Sequence, residues 1–179
     1  MSLYFITGNK GKLMEVQSIL GNVEALDIDL PEIQSLDAHE IIKAKLEEAK
    51  KHQAGEFIVE DTSLYFEALN GLPGPLIKWF MKTVGNDGLY KMAGAFGNFQ
   101  AEAKTIVGYS DQQGNISFYE GNVKGMIVLP RGEGFGWDPI FQPEGHAKTF
   151  GELTAEEKNS FSMRKIALEH LREHLIKNT

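Results

Sequence analysis

Thr7-Gly8-Asn9-Lys10-Gly11-Lys12 lies between the apolar run Leu3-Tyr4-Phe5-Ile6 and the helix-like run Leu13-Met14-Glu15-Val16-Gln17-Ser18-Ile19-Leu20. A glycine-rich turn from strand into helix presents backbone N–H groups at a helix N-terminus, an arrangement that suits phosphate. Lys10 and Lys12 add positive charge where a polyphosphate would lie. The spelling is not a Walker A loop, because Ile6 and Leu13 occupy its first-glycine and Ser/Thr positions, and G-x-G-x-x-G is absent. A tight turn with solvated lysines accounts for the same residues, so other segments must decide.

Several segments bear on that choice. Glu60-Asp61 ends the apolar run Phe57-Ile58-Val59, and consecutive side chains on a strand point to opposite faces. Only one of the two carboxylates can then face a given ligand, as metal ligand or general base; a solvated strand end is the alternative. Glu32, after Pro31, becomes interesting as a second oxygen ligand for Mg²⁺, which takes one or two carboxylates plus phosphate oxygens and water. Phe135-Gly136-Trp137-Asp138-Pro139 offers rings that could stack on a base and a carboxylate that could read its edge, or aromatics that plug a core. Lys158, Asn159, Ser162 and Arg164 cluster near the C-terminus. Lys158 and Arg164 would lie about 240° apart on one straight helix. They can face one ligand only if the helix breaks, and Ser162 is a residue type that caps a new one. His170 and His174 have i, i+4 spacing, which suits a shared metal or a solvated helix face.

The bulk composition narrows the classes. The chain has 179 residues, 42% of them hydrophobic and 24% charged, with a formal net charge of −7. This is ordinary for a globular domain, and it excludes a global basic field for DNA or RNA. The absence of cysteine excludes disulfides and thiolate metal sites. No apolar run approaches the roughly 20 residues a membrane span needs, and the cytoplasm is the expected compartment.

The elements that would position these residues read as an α/β pattern. Strands are expected at 3–6, 25–28, 57–62, 101–110 and 116–129, and helices at 12–20, 38–52, 76–82, 89–93 and from 154 onward, broken near 161–162. Asp29-Leu30-Pro31-Glu32 and Gly71-Leu72-Pro73-Gly74-Pro75 read as irregular turns. The 101–129 segment reads as a hairpin with Gly114 in its turn. Thr154-Ala155-Glu156-Glu157 spells a capping box. Together they predict a mixed sheet flanked by helices.

The turn at 7–12, Val59-Glu60-Asp61-Thr62, Gly71-Leu72-Pro73-Gly74-Pro75-Leu76-Ile77-Lys78-Trp79-Phe80, Phe135-Gly136-Trp137-Asp138-Pro139-Ile140-Phe141 and Glu156-Glu157-Lys158-Asn159 through Ser162-Met163-Arg164 occur in one order along nearly the whole chain. Jointly they resemble the inosine triphosphate pyrophosphatase, or Ham1-like, family, with spellings most similar to its archaeal and eukaryotic branch. The resemblance implies Mg²⁺-dependent hydrolysis of ITP, dITP and XTP to monophosphate and pyrophosphate. It implies one domain spanning 1–179, with an elongated mixed sheet, two lobes (the second around the 101–129 hairpin), a nucleotide cleft between them and a homodimer. Carried over by residue, Thr7, Gly8, Asn9, Lys10, Gly11 and Lys12 match the triphosphate turn. Glu32 matches a metal ligand, and Asp61 a metal ligand and water-activating base. Thr62 matches a phosphate contact, and Lys45 and Lys78 match lysines near phosphates and base. Phe135, Gly136, Trp137 and Asp138 match the base loop, and Lys158 and Arg164 the basic residues that close over the nucleotide.

One position departs from the pattern. Family members usually have Ser-His-Arg where this chain has Ser162-Met163-Arg164, and the histidine helps read the purine 6-keto group. Methionine is a weak acceptor and no donor. Weaker rejection of ATP is the consequence expected, at about 1–3 kcal/mol for one lost contact. A nucleotide sensor without turnover, or a pyrophosphatase for other modified nucleotides, are the rival functions.

Overall fold

The protein is described by a computed structural model covering residues 2–30 and 32–177; Pro31, part of the expected 29–32 loop, lies outside the described residues. The strands are β1 (Leu3–Ile6), β2 (Val23–Leu26), β3 (Glu56–Phe66), β4 (Pro73–Gly74), β5 (Gln100–Ser110), β6 (Ile116–Ile127) and β7 (Phe141–Pro143). The helices are α1 (Lys10–Leu20), α2 (Ala38–His52), α3 (Ile77–Thr83), α4 (Gly85–Ala95), α5 (Ala155–Asn159) and α6 (Met163–Lys177). One mixed sheet runs in the order β2-β1-β3-β5-β6-β7, with β4 paired to β3. β1 is parallel to both β2 and β3, whereas β4 and β7 pair antiparallel.

Most elements fall where periodicity places them, and the differences have local causes. α1 starts at Lys10, two residues early, because the Asn9 side-chain oxygen caps it. α4 begins at Gly85 rather than at residue 89, since a helix opening through Gly85 and Gly88 carries little propensity to read. Within the turn expected at 71–75, Pro73 and Gly74 pair with Tyr65 and Leu64 as a short outer strand, where a missing N–H is tolerated. The 111–115 turn closes through Asp111 N–H to the Asn115 carbonyl and Gly114 N–H to that of Asp111. The capping box at Thr154 forms as spelled, and the helix breaks at residues 160–162.

The chain divides into two compact units. The first comprises residues up to Asp61, Thr105–Gly121 and the chain from Arg164 on. Strand alternation splits its core into two layers. Phe5, Ile58 and Val107 pack with Val16 of α1 and Ala167, Leu168 and Leu171 of α6. Phe57, Val59 and Ile106 face the other way and pack with Ala38, Ile42, Leu46 and Ala49 of α2. The α2 layer depends on Gly108, where a Cβ would collide with Ile42 Cγ2 and crowd Leu46 Cδ1 at 3.1 Å.

The second unit comprises Thr62–Lys104 and Asn122–Met163. Its core gathers Leu64, Phe66, Leu89, Ile140, Phe141 and Phe150, and includes Trp137 and Met163.

Gly108→Ala overpacks the α2 layer. It should cost about 1–3 kcal/mol and lower Tm by several degrees in calorimetry, with far-UV circular dichroism unchanged. An unchanged Tm would show that α2 does not rest on β5 at this point.

Candidate functional site

In the first unit, α1 follows β1 on one face of the sheet and α2, leading into β3, covers the other. β1 therefore lies beside β3 where the winding changes direction, and in open α/β sheets ligands bind beyond the carboxyl ends of strands at such a point. The parallel register sets Phe5 opposite Ile58. Continued past the strand end, it brings the turn after β1 level with Glu60 and Asp61.

That turn is tightly wired. Asn9 Oδ1 accepts the N–H groups of Gly11 at 2.9 Å and Lys12 at 3.2 Å. The Asn9 N–H donates to Thr7 Oγ1 at 3.0 Å. Three of the turn's backbone donors, those of Asn9, Gly11 and Lys12, are thus already held by its own side chains. Lys10 is exposed.

Glu60 is the centre of the charge arrangement, with a side chain only 4% exposed. Lys12 Nζ lies 2.8 Å from Glu60 Oε1. Arg164 grips the same carboxylate with Nε at 2.8 Å and Nη2 at 3.1 Å, a two-pronged geometry that fits the guanidinium plane. Arg164 Nη1 reaches Glu15 Oε2 at 2.8 Å, and Glu15 Oε1 is buried with no hydrogen-bond partner among the described residues. Burial alone would raise the Glu60 pKa; the charges of Arg164 and then Lys12 overcome it and hold the carboxyl at about 2. Burial likewise opposes the Arg164 charge, but Glu60 and then Glu15 push its pKa up.

Asp61 is half-buried, and alternation puts it on the opposite face, the α2 side. Lys45, on α2, holds Glu32 Oε1 at 2.9 Å. Glu32 and Asp61 are oxygen donors of the kind Mg²⁺ takes, and no group of three or more His, Cys, Asp or Glu that could hold a metal occurs among the described residues. His170 Nδ1 lies 3.0 Å from the Glu120 carbonyl oxygen, and the His174 ring packs against Tyr109 and Tyr119. These contacts account for the i, i+4 spacing without a metal.

In the second unit, both Asp138 carboxylate oxygens lie 2.7 Å from Lys158 Nζ, and Oδ2 also accepts the Phe135 N–H at 3.2 Å. Lys158 Nζ sits 5.1 Å above the Phe150 ring. The two aromatics of the loop part company. Phe135 is 81% exposed, whereas Trp137 is 8% exposed and meets Phe141 edge-on at 5.6 Å. Trp137 therefore plugs the core, and Phe135 is the loop ring open to a ligand. Met163 is 3% exposed in the same apolar cluster, so its side chain is a packing group. Thr62 is half-buried on β3; Lys78 is exposed on α3, its ammonium 6.0 Å from the Trp79 ring centroid.

The sequence profile of the Ham1 family matches residues 3–174. The chain belongs to the Ham1 family. The inosine triphosphate pyrophosphatase of Schizosaccharomyces pombe is 46% identical over 179 residues, covering 97% of this chain and 95% of that protein. The inosine triphosphate pyrophosphatase of Emericella nidulans is 44% identical, covering 98% and 97%. Among solved structures, the Ham1 proteins of Staphylococcus aureus and Coxiella burnetii each superpose with a TM-score of 0.85 at 26% identity, covering 99% of this chain and all of theirs.

Within this Ham1 chain, three groups escaped the sequence reading. Glu60 was set aside in favour of Asp61, yet it organises Lys12 and Arg164. Glu15 looked like an ordinary helix carboxylate, although its i, i+3 spacing from Lys12 puts both on one face of α1. Asn86, whose Nδ2 donates to the Gly136 carbonyl at 3.1 Å, carried no signal at all.

Because the Glu60 pKa is about 2 in the folded state against 4.5 ordinarily, its ionisation stabilises the fold above about pH 4.5. That contribution is lost as pH falls towards 2. Glu60→Gln removes the buried carboxylate shared by the half-exposed Lys12 and by Arg164, which keeps only Glu15, and should cost about 2–4 kcal/mol at pH 7. Denaturant melts should show this difference shrinking between pH 7 and pH 3. A constant difference would mean that the native carboxylate does not carry the charge assigned to it.

Proposed function

We propose that the protein hydrolyses ITP, dITP and XTP to the monophosphate and pyrophosphate, the whole chain acting as one catalytic domain. The observation that carries this reading is the glycine-rich turn that leaves β1 at the winding reversal beside β3, with Lys12 of that turn 2.8 Å from Glu60, the neighbour of Asp61. The names of the 46% and 44% identical relatives support it. The family resemblance also supports a homodimer, and the cysteine-free composition supports the cytoplasm as its setting; no helix among the described residues is long and apolar enough to cross a membrane.

On this reading the triphosphate lies along the 7–12 turn, with Lys10, Lys12, Thr62, Lys45 and Lys78 contributing charge and hydrogen bonds. Asp61 accepts the proton of the attacking water. Asp61 and Glu32 would hold Mg²⁺, an ion that takes one or two carboxylates together with phosphate oxygens and water and so does not require a closed protein cage. When bound, the ion supplies charge neutralisation at phosphate oxygens and makes coordinated water more acidic. No nucleophilic side chain is needed, since phosphoryl chemistry depends mainly on positioning and charge. Phe135 stacks on the base, Gly136 and Asp138 shape the loop, and Lys158 holds Asp138. Arg164, locked by Glu60 and Glu15, presents a fixed guanidinium.

Incubation with ITP and Mg²⁺ should yield IMP and pyrophosphate by chromatography; IDP with orthophosphate would overturn the assignment. Asp61→Asn keeps the shape but removes the base, and kcat should fall on the order of 10² to 10⁴. Near-native turnover would move the base elsewhere.

Selectivity against ATP does not rest on Met163 if its side chain only packs. Met163→His buries a polar ring in the apolar cluster. It should lower Tm while leaving the ratio of kcat/KM for ITP and ATP within about twofold, the destabilisation being about 1–3 kcal/mol. A marked rise in that ratio would restore the position as a base-reading one.

A further inference from the structure

The loop 131–136 and the residues that follow it carry the exposed Phe135 and the buried Trp137, and Gly136 is the joint between them. Gly136 has φ +63°, while open space surrounds the place a Cβ would take. Glycine is needed there for the direction of the chain and not for room. That direction fixes where the Gly136 carbonyl points, and the group it meets is a side chain from another element. Asn86, the second residue of α4, donates from Nδ2 to this carbonyl at 3.1 Å across a sequence separation of 50. Its Oδ1 is buried with no hydrogen-bond partner among the described residues. Leaving a buried acceptor unsatisfied is costly, so the carboxamide is held in an orientation that serves the loop. α4 is a firm base for such a tie, since Leu89 and Ala93 lie in the core of the second unit.

We infer that Asn86 is a positioning residue for base recognition: by tethering Gly136 it sets where the Phe135 ring stands. The inference rests on the reading that this loop holds the purine. Asp138 restrains the same loop from the inside, by accepting the Phe135 N–H, and Lys158 restrains Asp138. Bonds from Thr149, Gly151 and Pro139 hold the start of the loop at Arg131 and Glu133, and Asn86 is the side-chain tie at its far end, next to Phe135. Without it the loop keeps its fold but not the placement of its ring, so substrate binding suffers and the hydrolytic step does not.

The test is steady-state kinetics with ITP and Mg²⁺ on the full chain, for Asn86→Ala, Asn86→Asp and Phe135→Ala, with Tm recorded for each. Asn86→Ala should raise KM about three- to tenfold, the range that one lost hydrogen bond corresponds to, with kcat within about twofold. Asn86→Asp, nearly the same size, sets a carboxylate against the carbonyl and should raise KM further; it decides the question if the alanine variant does not fold. Asn86→Gln keeps an amide donor and should recover part of the loss. If Phe135→Ala raises KM while the Asn86 variants match the native enzyme, the tether is refuted and the base-loop reading stands. If Phe135→Ala also leaves KM unchanged, that reading falls and the inference with it. A fall in kcat with KM constant and Tm lowered would make Asn86 a structural residue only and likewise refutes the inference.

Discussion

A carboxylate taken out of water must be matched by charge close at hand, and Glu60 is matched twice. Its partners come from elements remote in sequence: Lys12 at the start of α1 and Arg164, 104 residues away, in the first turn of α6. The pairing fixes the ends of both helices against the middle of β3. Lys158 is engaged by Asp138 within the second unit, and Arg164 by Glu60 within the first. On one rigid helix the two side chains would diverge by about 240°. The chain instead breaks at residues 160–162, between the two.

Glu60 and Asp61 show how a two-residue alternation divides labour. Adjacent on β3, they project to opposite faces. The α1 and α6 face receives the carboxylate that becomes structural, buried and fully ionised. The α2 face receives the half-buried one, on the side where Lys45 holds Glu32. A carboxylate gripped by two cations is a poor base, because its proton affinity has been driven down to a pKa of about 2. The proposed reaction accordingly assigns the base to the neighbouring Asp61. Strand geometry says that the two differ in facing; the tertiary partners say that Glu60 is the one held by Arg164 and Lys12.

That distinction marks how far the residues could be read in advance. Features set by local chemistry were legible: the β1–turn–α1 unit, α2 to the residue, the 111–115 turn, the capping box at Thr154 and the helix break. The Ham1 membership was legible from five motifs in order. What was not legible depends on contacts between distant segments. The Asn9 cap consumes N–H groups that an open turn would offer to phosphate. The loop spelling Phe-Gly-Trp-Asp does not say which ring is buried; that follows from Phe141 and Phe150 packing around Trp137. Met163 looked like a missing base contact until it fell inside the same apolar cluster. Asn86 had no motif, because its partner is a backbone carbonyl that any residue would supply.

The ion pairs also bear on how an acidic chain can hold a polyanion. With a formal net charge of −7 there is no long-range field to attract a triphosphate. Lys12, Lys45, Lys158 and Arg164 each already hold a carboxylate at 2.7–2.9 Å. Free flexible lysines would lose side-chain entropy on ordering around phosphate; these have lost it on folding. A phosphate oxygen arriving at such a cation shares it with, or displaces, a carboxylate whose position is fixed. The attraction gained is smaller than for a bare cation, but the geometry is set before the substrate arrives. Arg164 is the extreme case, held by the three hydrogen bonds it donates to two glutamates, and is able to present its remaining surface in one orientation only. For a reaction in which catalysis comes mainly from placement, a neutralised but rigid set of cations is the more useful one.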